Sequence, residues 1–267
     1  MVNISFNHLY LFLSIFEHVT IIPMKKAIIL AAGIGKRLGD LTSDLPKCLL
    51  PIDSDNVLID YSLHALKDNG VNEISFVSGF CEDKLKKHIA KKWKNKFIFK
   101  FIFNEKYAQY NNVYSAYLAK NIWNDETVLL NSDIIFHPGI LKNDVPLRSF
   151  LVIDDQKKLI AEDMKVRINE KGEIKEINKN LNIKTSFGEY IGITYLRGKE
   201  RVKFLESLEQ NVKNKNLHIY YEDALADVLS EISVFPCSTN SLPWTEVDTK
   251  EDYEVAKRIA KEIMVNI

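Results

Sequence analysis

The sequence predicts an α/β fold: a mixed, mostly parallel sheet flanked by helices, with a small antiparallel region in its second half. Three observations carry this. Apolar runs alternate with helix-like segments from residue 25 onward. The runs AIIL, EISFV and TVLLN are continuously apolar, as in strands covered on both faces. A glycine turn and Ser132-Asp133 follow two of these runs directly, at strand ends where open sheets of this kind present ligand sites.

The elements follow in order. Residues 27–30 form a buried strand, and Ala31, Ala32, Gly33 and Gly35 form the turn after it. A helix over 58–69 stops at Gly70, a natural C-terminal signal. Residues 73–79 are the next strand. The lysine-rich stretch 84–96 repeats Leu85, Ile89 and Trp93 every four residues, which reads as an amphipathic helix with a solvated basic face. Strand 97–104, helix 112–119 and strand 127–131 complete the first half. Short strands at 150–153, 164–168, 173–177 and 191–196 then change the style toward antiparallel pairing, and helices follow near 199–213, 223–230 and 250–264.

A chain of 267 residues without a linker or repeat reads as one domain, and 36 basic against 36 acidic residues give no global field for nucleic acid. Cys48, Cys81 and Cys237 match neither a disulfide framework nor a metal pattern, and they fit a reducing, cytoplasmic setting. Residues 1–23 stand apart. Their apolar run at 9–16 has no preceding basic residue and no cleavage site, and it is too short to cross a bilayer. We read 1–23 as an extension outside the fold, a non-native or misassigned start, with Met24 as natural initiator; a membrane-tethering or partner-binding segment is the alternative.

The chemistry begins at the glycine turn. Small residues let backbone N–H groups approach a ligand, and Lys36, Arg37 and then Lys47 add three cations, a set suited to a polyphosphate. The spacing matches neither the P-loop nor the dinucleotide fingerprint. The joint pattern Leu30-Ala31-Ala32-Gly33-x-Gly35-x-Arg37-Leu38, Leu41-Thr42 and Pro46-Lys47-x-Leu49 resembles the signature of nucleotidyltransferases that activate sugar phosphates and small phosphorylated alcohols. The resemblance runs over residues 24–267 and implies a single-domain Rossmann-like fold. It implies that Leu30, Ala31, Ala32, Gly33 and Gly35 lie along the nucleotide. Arg37 and Lys36 would then meet the β- and γ-phosphates, and Lys47 the α-phosphate.

Transfer of a nucleotidyl group demands aligned reactants and neutralised charge, so acids at strand ends should lie beside these cations. Asp133 follows an apolar strand, and Asp248 lies in Trp244-Thr245-Glu246-Val247-Asp248-Thr249. The resemblance makes both of them Mg²⁺ ligands. Asp248 also reads as a helix cap, a role Thr249 can take instead, and Glu246 is a weaker third candidate. The run Tyr110-Asn111-Asn112-Val113-Tyr114-Ser115 resembles the phosphocholine and 2-aminoethylphosphonate cytidylyltransferase branch, with Asn111, Asn112 and Ser115 reading a pyrimidine or ribose. The same branch suggests Lys165 for an acceptor phosphate or phosphonate, with Glu189, Asp163 and Tyr190 for an amine. Tyr221, Trp244, Glu222 and Asp223 are further candidates for the amine. The expected partners are thus CTP and a small acceptor, with no nucleic acid or membrane, and a homodimer is left open. A sugar- or inositol-1-phosphate enzyme using UTP, dTTP or CTP stays open, as does a non-catalytic nucleotide-binding domain.

Overall fold

The structure is a computed structural model that describes residues 24–142 and 148–265. The N-terminal extension therefore lies outside the described residues. Four parallel strands carry the first half: β1 (Lys26–Ala31), β2 (Glu73–Ser78), β3 (Ile98–Phe103) and β4 (Thr127–Asn131). Residues 134–136 (Ile134–Phe136) form a short β5, followed by β6 (Phe150–Asp154), the hairpin β7 (Lys165–Ile168) and β8 (Ile174–Asn178), β9 (Gly188–Tyr195) and β10 (Phe235–Ser238). The main sheet runs β10-β6-β9-β4-β1-β2-β3, with β9 antiparallel to both neighbours and the hairpin attached through β7. A second sheet pairs β5 with β11 (Trp244–Glu246).

Alternate residues of each strand feed opposite faces of the sheet. On one side Ile29, Phe76 and Leu130 meet α1 (Leu58–Asp68) and α2 (Glu82–Lys92) through Leu63, Leu66, Leu85 and Trp93. On the other, Ile28, Val77 and Leu129 meet α3 (Asn112–Leu118), α4 (Gly198–Lys213) and α5 (Tyr221–Ala226). The final helix α6 (Lys250–Val265) packs Tyr253, Ala256 and Ile263 onto Leu38, Leu50 and Ile52. Differences from the expected boundaries are local. The strand expected at 191–196 starts at Gly188, the helix expected at 223–230 is α5, and β3 is a sheet edge that leaves Ile98 61% exposed.

One buried acid fastens α1 to α2. Asp60 is fully buried and accepts from Val57 N (2.9 Å), Lys92 Nζ (2.9 Å) and Trp93 Nε1 (2.6 Å), with His88 Nε2 at 2.8 Å. Burial alone would raise its pKa; the hydrogen bonds from His88, Lys92, Val57 and Trp93 hold it down to about 2. A depressed folded-state pKa gives stability that is present above the unfolded value near 4 and lost as pH falls through about 2. That window is worth about 2 kcal/mol. We expect Asp60→Ala to lower unfolding free energy by about 3 kcal/mol at neutral pH, since it leaves the Trp93 indole N–H without an acceptor and the Lys92 ammonium with neutral partners only, Asp55 O and Asn56 Oδ1. Urea unfolding from pH 7 to pH 2 checks both, and a variant whose deficit stayed constant down to pH 2 would contradict the assignment.

Candidate active site

A cleft of about 420 Å³ opens at the carboxyl ends of β1, β3 and β4. Its floor is the glycine turn. Gly35 has φ 71°, and a Cβ there would lie 3.1 Å from Lys47 Cβ and 3.3 Å from Thr42 Cγ2. Only glycine lets the turn press against the segment that carries Lys47, and Thr42 Oγ1 locks it by donating to Gly35 O at 2.9 Å. The segment after it is a run of 3₁₀ turns (Lys36–Thr42) that leaves Lys36 and Arg37 exposed at the cleft.

The acids arrive by a different route. β4 ends just before Asp133, and the chain continues into β5, whose Ile134 lies opposite Glu246 of β11. Val247 N donates to Asp133 O at 2.8 Å, and Ser62 of α1 holds Ile134 O at 3.0 Å. This pairing brings one carboxylate oxygen each from Asp133, Glu246 and Asp248 within 4.8 Å of one another. Asp248 is not the cap of α6. Thr249 Oγ1 accepts from Asp252 N, and Asp252 Oδ2 accepts from Thr249 N, which leaves the Asp248 side chain to the cleft.

Lys47 Nζ lies 2.9 Å from Asp133 Oδ2 and 2.5 Å from Asp248 Oδ1, and Arg37 Nη2 lies 2.5 Å from Asp248 Oδ2. Burial works against the Lys47 ammonium, but Asp133 and Asp248 outweigh it and hold the lysine charged. Burial likewise opposes ionisation of Asp248, and Lys47 and Arg37 overcome it and depress its pKa. Glu246 goes the other way: burial, then repulsion from Asp133 and Asp248, raises it well above the usual carboxylate range. Lys47 and Arg37 pair with Asp133 and Asp248 but not with Glu246, and Asp133 Oδ1 is buried with no hydrogen-bond partner, so the cluster has oxygens left over for a further cation. A hard divalent cation with oxygen ligands fits this donor set.

The cleft brings together Leu30, Ala31, Ala32, Gly33, Gly35, Lys36, Arg37 and Lys47 with Asn111, Asn112, Ser115, Asp133, Tyr190 and Asp248. Asn111 and Asn112 also hold structure. Asn111 Oδ1 accepts from Asn112 N at the start of α3, and Asn112 Oδ1 accepts from Tyr221 N at 2.8 Å. Cys48 lines the floor as well, where burial pushes its thiol up to about 12, far from nucleophilic.

Three residues expected at the acceptor do not line the cleft. Lys165 is 1% exposed and donates to the carbonyls of Ile160 (3.3 Å), Ala161 (2.8 Å) and Asp163 (2.9 Å), so its charge holds a loop together. Asp163 caps that loop through Ile160 N at 2.7 Å, and Glu189 pairs with Lys157. Trp244 is likewise engaged, donating to Asp154 Oδ2 at 2.7 Å. In their place the cleft presents Lys179, Glu162, Met164, Tyr220 and Glu222. Lys179 directly follows β8, and Asn104 directly follows β3 and donates to Ser115 Oγ at 3.0 Å. The strand-end rule that selects Asp133 would have selected both. Gly192 has φ 88°, and a Cβ there would sit 2.8 Å from Asn131 Nδ2, so glycine lets Asn131 reach the cleft.

Comparison with known proteins gives the family and the fold. The family described as Nucleotidyl transferase matches residues 26–144. A CTP:phosphoglutamine cytidylyltransferase of Campylobacter jejuni is 30% identical over 86% of this chain and 98% of its own length. A choline-phosphate cytidylyltransferase of Streptococcus pneumoniae is 24% identical over 88% of this chain and 98% of its own. The solved CTP:phosphocholine cytidylyltransferase from Streptococcus pneumoniae superposes with a TM-score of 0.73 at 25% identity, covering 88% of this chain and 98% of that one. Among the described residues no helix is long and apolar enough to cross a membrane. With its mixed sheet, its glycine turn and these relatives, the chain belongs to the nucleotidyltransferase family and is a nucleotidyltransferase enzyme.

Proposed function

We propose that the protein is a Mg²⁺-dependent cytidylyltransferase that transfers CMP from CTP to a small phosphorylated or phosphonate metabolite and releases pyrophosphate. The observation that carries this reading is the ionic knot of Asp133, Glu246 and Asp248 with Lys47 and Arg37 at the mouth of the cleft. Two relatives described as cytidylyltransferases and aligned over nearly their full length support CTP as donor.

An acceptor phosphate or phosphonate oxygen attacks the α-phosphorus. The new P–O bond forms as the bond to the pyrophosphate oxygen breaks, and the leaving group carries away the electron pair. The acceptor is already an anion, so no general base is needed; the protein aligns reactants and offsets charge. Lys36 and Arg37 meet the leaving β- and γ-phosphates, and Lys47 meets the α-phosphate where charge develops. The backbone of residues 31–35 lies along the nucleotide, with Leu30, Asn111, Asn112 and Ser115 on the base and ribose side. Asp133 and Asp248, helped by Glu246, would hold the cation. When bound, Mg²⁺ supplies the positive charge that lets acidic side chains and a polyphosphate share one site. Lys179 takes the phosphate-binding role expected of Lys165, because it is the cation of this half that faces the cleft among the described residues.

The test is pyrophosphate release with Mg²⁺ and each of CTP, UTP, dTTP and ATP, against amino phosphates, aminophosphonates and sugar-1-phosphates. Turnover confined to CTP and a non-sugar acceptor is expected. Turnover confined to a sugar-1-phosphate or inositol-1-phosphate would overturn the acceptor class and leave the family intact. Such a result would match a relative described as a bifunctional IPC transferase and DIPP synthase from Aquifex aeolicus.

A further inference from the structure

We propose that Glu222 is the acceptor-reading residue, and that the acceptor it reads bears a primary ammonium group at the end of a short phosphate or phosphonate chain. The inference rests on the cytidylyltransferase reading above.

Glu222 lines the cleft, yet it is only 4% exposed, and its Oε2 is buried without a hydrogen-bond partner. A buried carboxylate oxygen left without a donor is costly unless a ligand completes it. The nearby hydroxyls are engaged with one another. Tyr190 OH lies 2.6 Å from Thr194 Oγ1 and 2.7 Å from Tyr221 OH, and Tyr221 OH donates to Asn131 Oδ1 at 3.4 Å. These contacts link the hydroxyls from Thr194 to Asn131, and none of them reaches Oε2 at hydrogen-bond distance. Burial pushes the Glu222 carboxyl up to about 7, against opposing pulls from its own backbone N–H, Tyr221 and Asn112. A cation brought alongside would restore the charged form.

The same surroundings choose the kind of nitrogen. A trimethylammonium has no N–H to give and is held by open aromatic faces. Here Tyr190 and Tyr221 are buried and joined through their hydroxyls, and the Tyr220 ring already carries Lys179 Nζ at 5.3 Å from its centroid. The unmet need is for a hydrogen-bond donor with positive charge, which a primary ammonium supplies. Lys179, Tyr220 and Glu222 line the same cleft, so a phosphate on the lysine and an amine on the glutamate fit one small acceptor.

The experiment uses the full chain with Mg²⁺ and CTP and a matched pair of acceptors, 2-aminoethylphosphonate and 2-hydroxyethylphosphonate, with phosphocholine as a third. We expect kcat/KM for the amino compound to exceed that for the hydroxyl compound by about 30-fold or more, and phosphocholine to be poorer than the amine. Glu222→Gln should shrink the amino-to-hydroxyl ratio to about threefold or less, chiefly through KM for the acceptor. A wild-type ratio near one, a preference for phosphocholine, or a ratio unchanged in Glu222→Gln would overturn the proposal. Should the variant fail to fold, the wild-type pair decides alone. Calorimetric binding of CTP without acceptor separates the two readings. Binding of CTP with no turnover of the amine overturns the acceptor inference only, whereas no binding of CTP overturns the cytidylyltransferase reading as well.

Discussion

Asp248→Asn is expected to cut kcat by about 10³-fold with little change in thermal midpoint. The carboxylate is one of the three acids within 4.8 Å of one another, and it is also the meeting point of Arg37 and Lys47. The asparagine keeps the shape and removes the charge. On the proposed roles it therefore weakens the hold on a divalent cation and loosens Lys47 and Arg37, the side chains assigned to the phosphates. Loss of one preorganised electrostatic contact commonly costs 10²–10³-fold, and this residue serves more than one. Steady-state pyrophosphate release at saturating CTP checks the prediction, with raised Mg²⁺ as a second axis. Turnover within about threefold of wild type would remove Asp248 from the site.

Lys47→Ala is expected to lower kcat by about 10²–10³-fold while changing KM for CTP by less than about tenfold. The two carboxylates beside it keep the ammonium charged, so it is a fixed positive charge on a buried stem, aimed where the α-phosphate is expected. A group that matters most as charge builds up on the reacting phosphorus acts on the transition state more than on the bound triphosphate. An effect confined to KM would place the lysine on ground-state binding instead. Lys47→Arg should not rescue, because a planar fork cannot occupy the slot of a compact ammonium beside Gly35.

Much of this was legible in the residues. Continuous apolar runs gave the parallel half, because strands covered on both faces leave no alternation to misread, and Leu85, Ile89 and Trp93 gave the buried stripe of α2. The three-residue strands β5 and β11 were not legible as a pair: so short a segment has no period, and their pairing joins residues about a hundred positions apart. On the acceptor side the cleft takes Tyr190 but not Lys165, Glu189 or Asp163, for a definable reason. Met164 and Lys165 point to opposite faces, and nothing local says which face is the cleft; the structure gives it to Met164 and wraps Lys165 in carbonyls. Glu222 was visible as an acid among tyrosines, but its missing partner is a property of the folded surroundings alone.

The route by which Asp248 reaches Lys47 has a bearing on biosynthesis of the enzyme itself. The two belong to segments 201 residues apart, and β11 touches β5 rather than the main sheet, while α6 closes over the loop that holds Leu50 and Ile52. A nascent chain emerging from the ribosome can complete β1 to β4 with the glycine turn long before residue 248 has been synthesised. A chain halted or clipped before about residue 240 keeps Asp133 but lacks Glu246 and Asp248, so it has only one of the three acids. The acidic cluster thus forms only once the segment that carries β11 has been made.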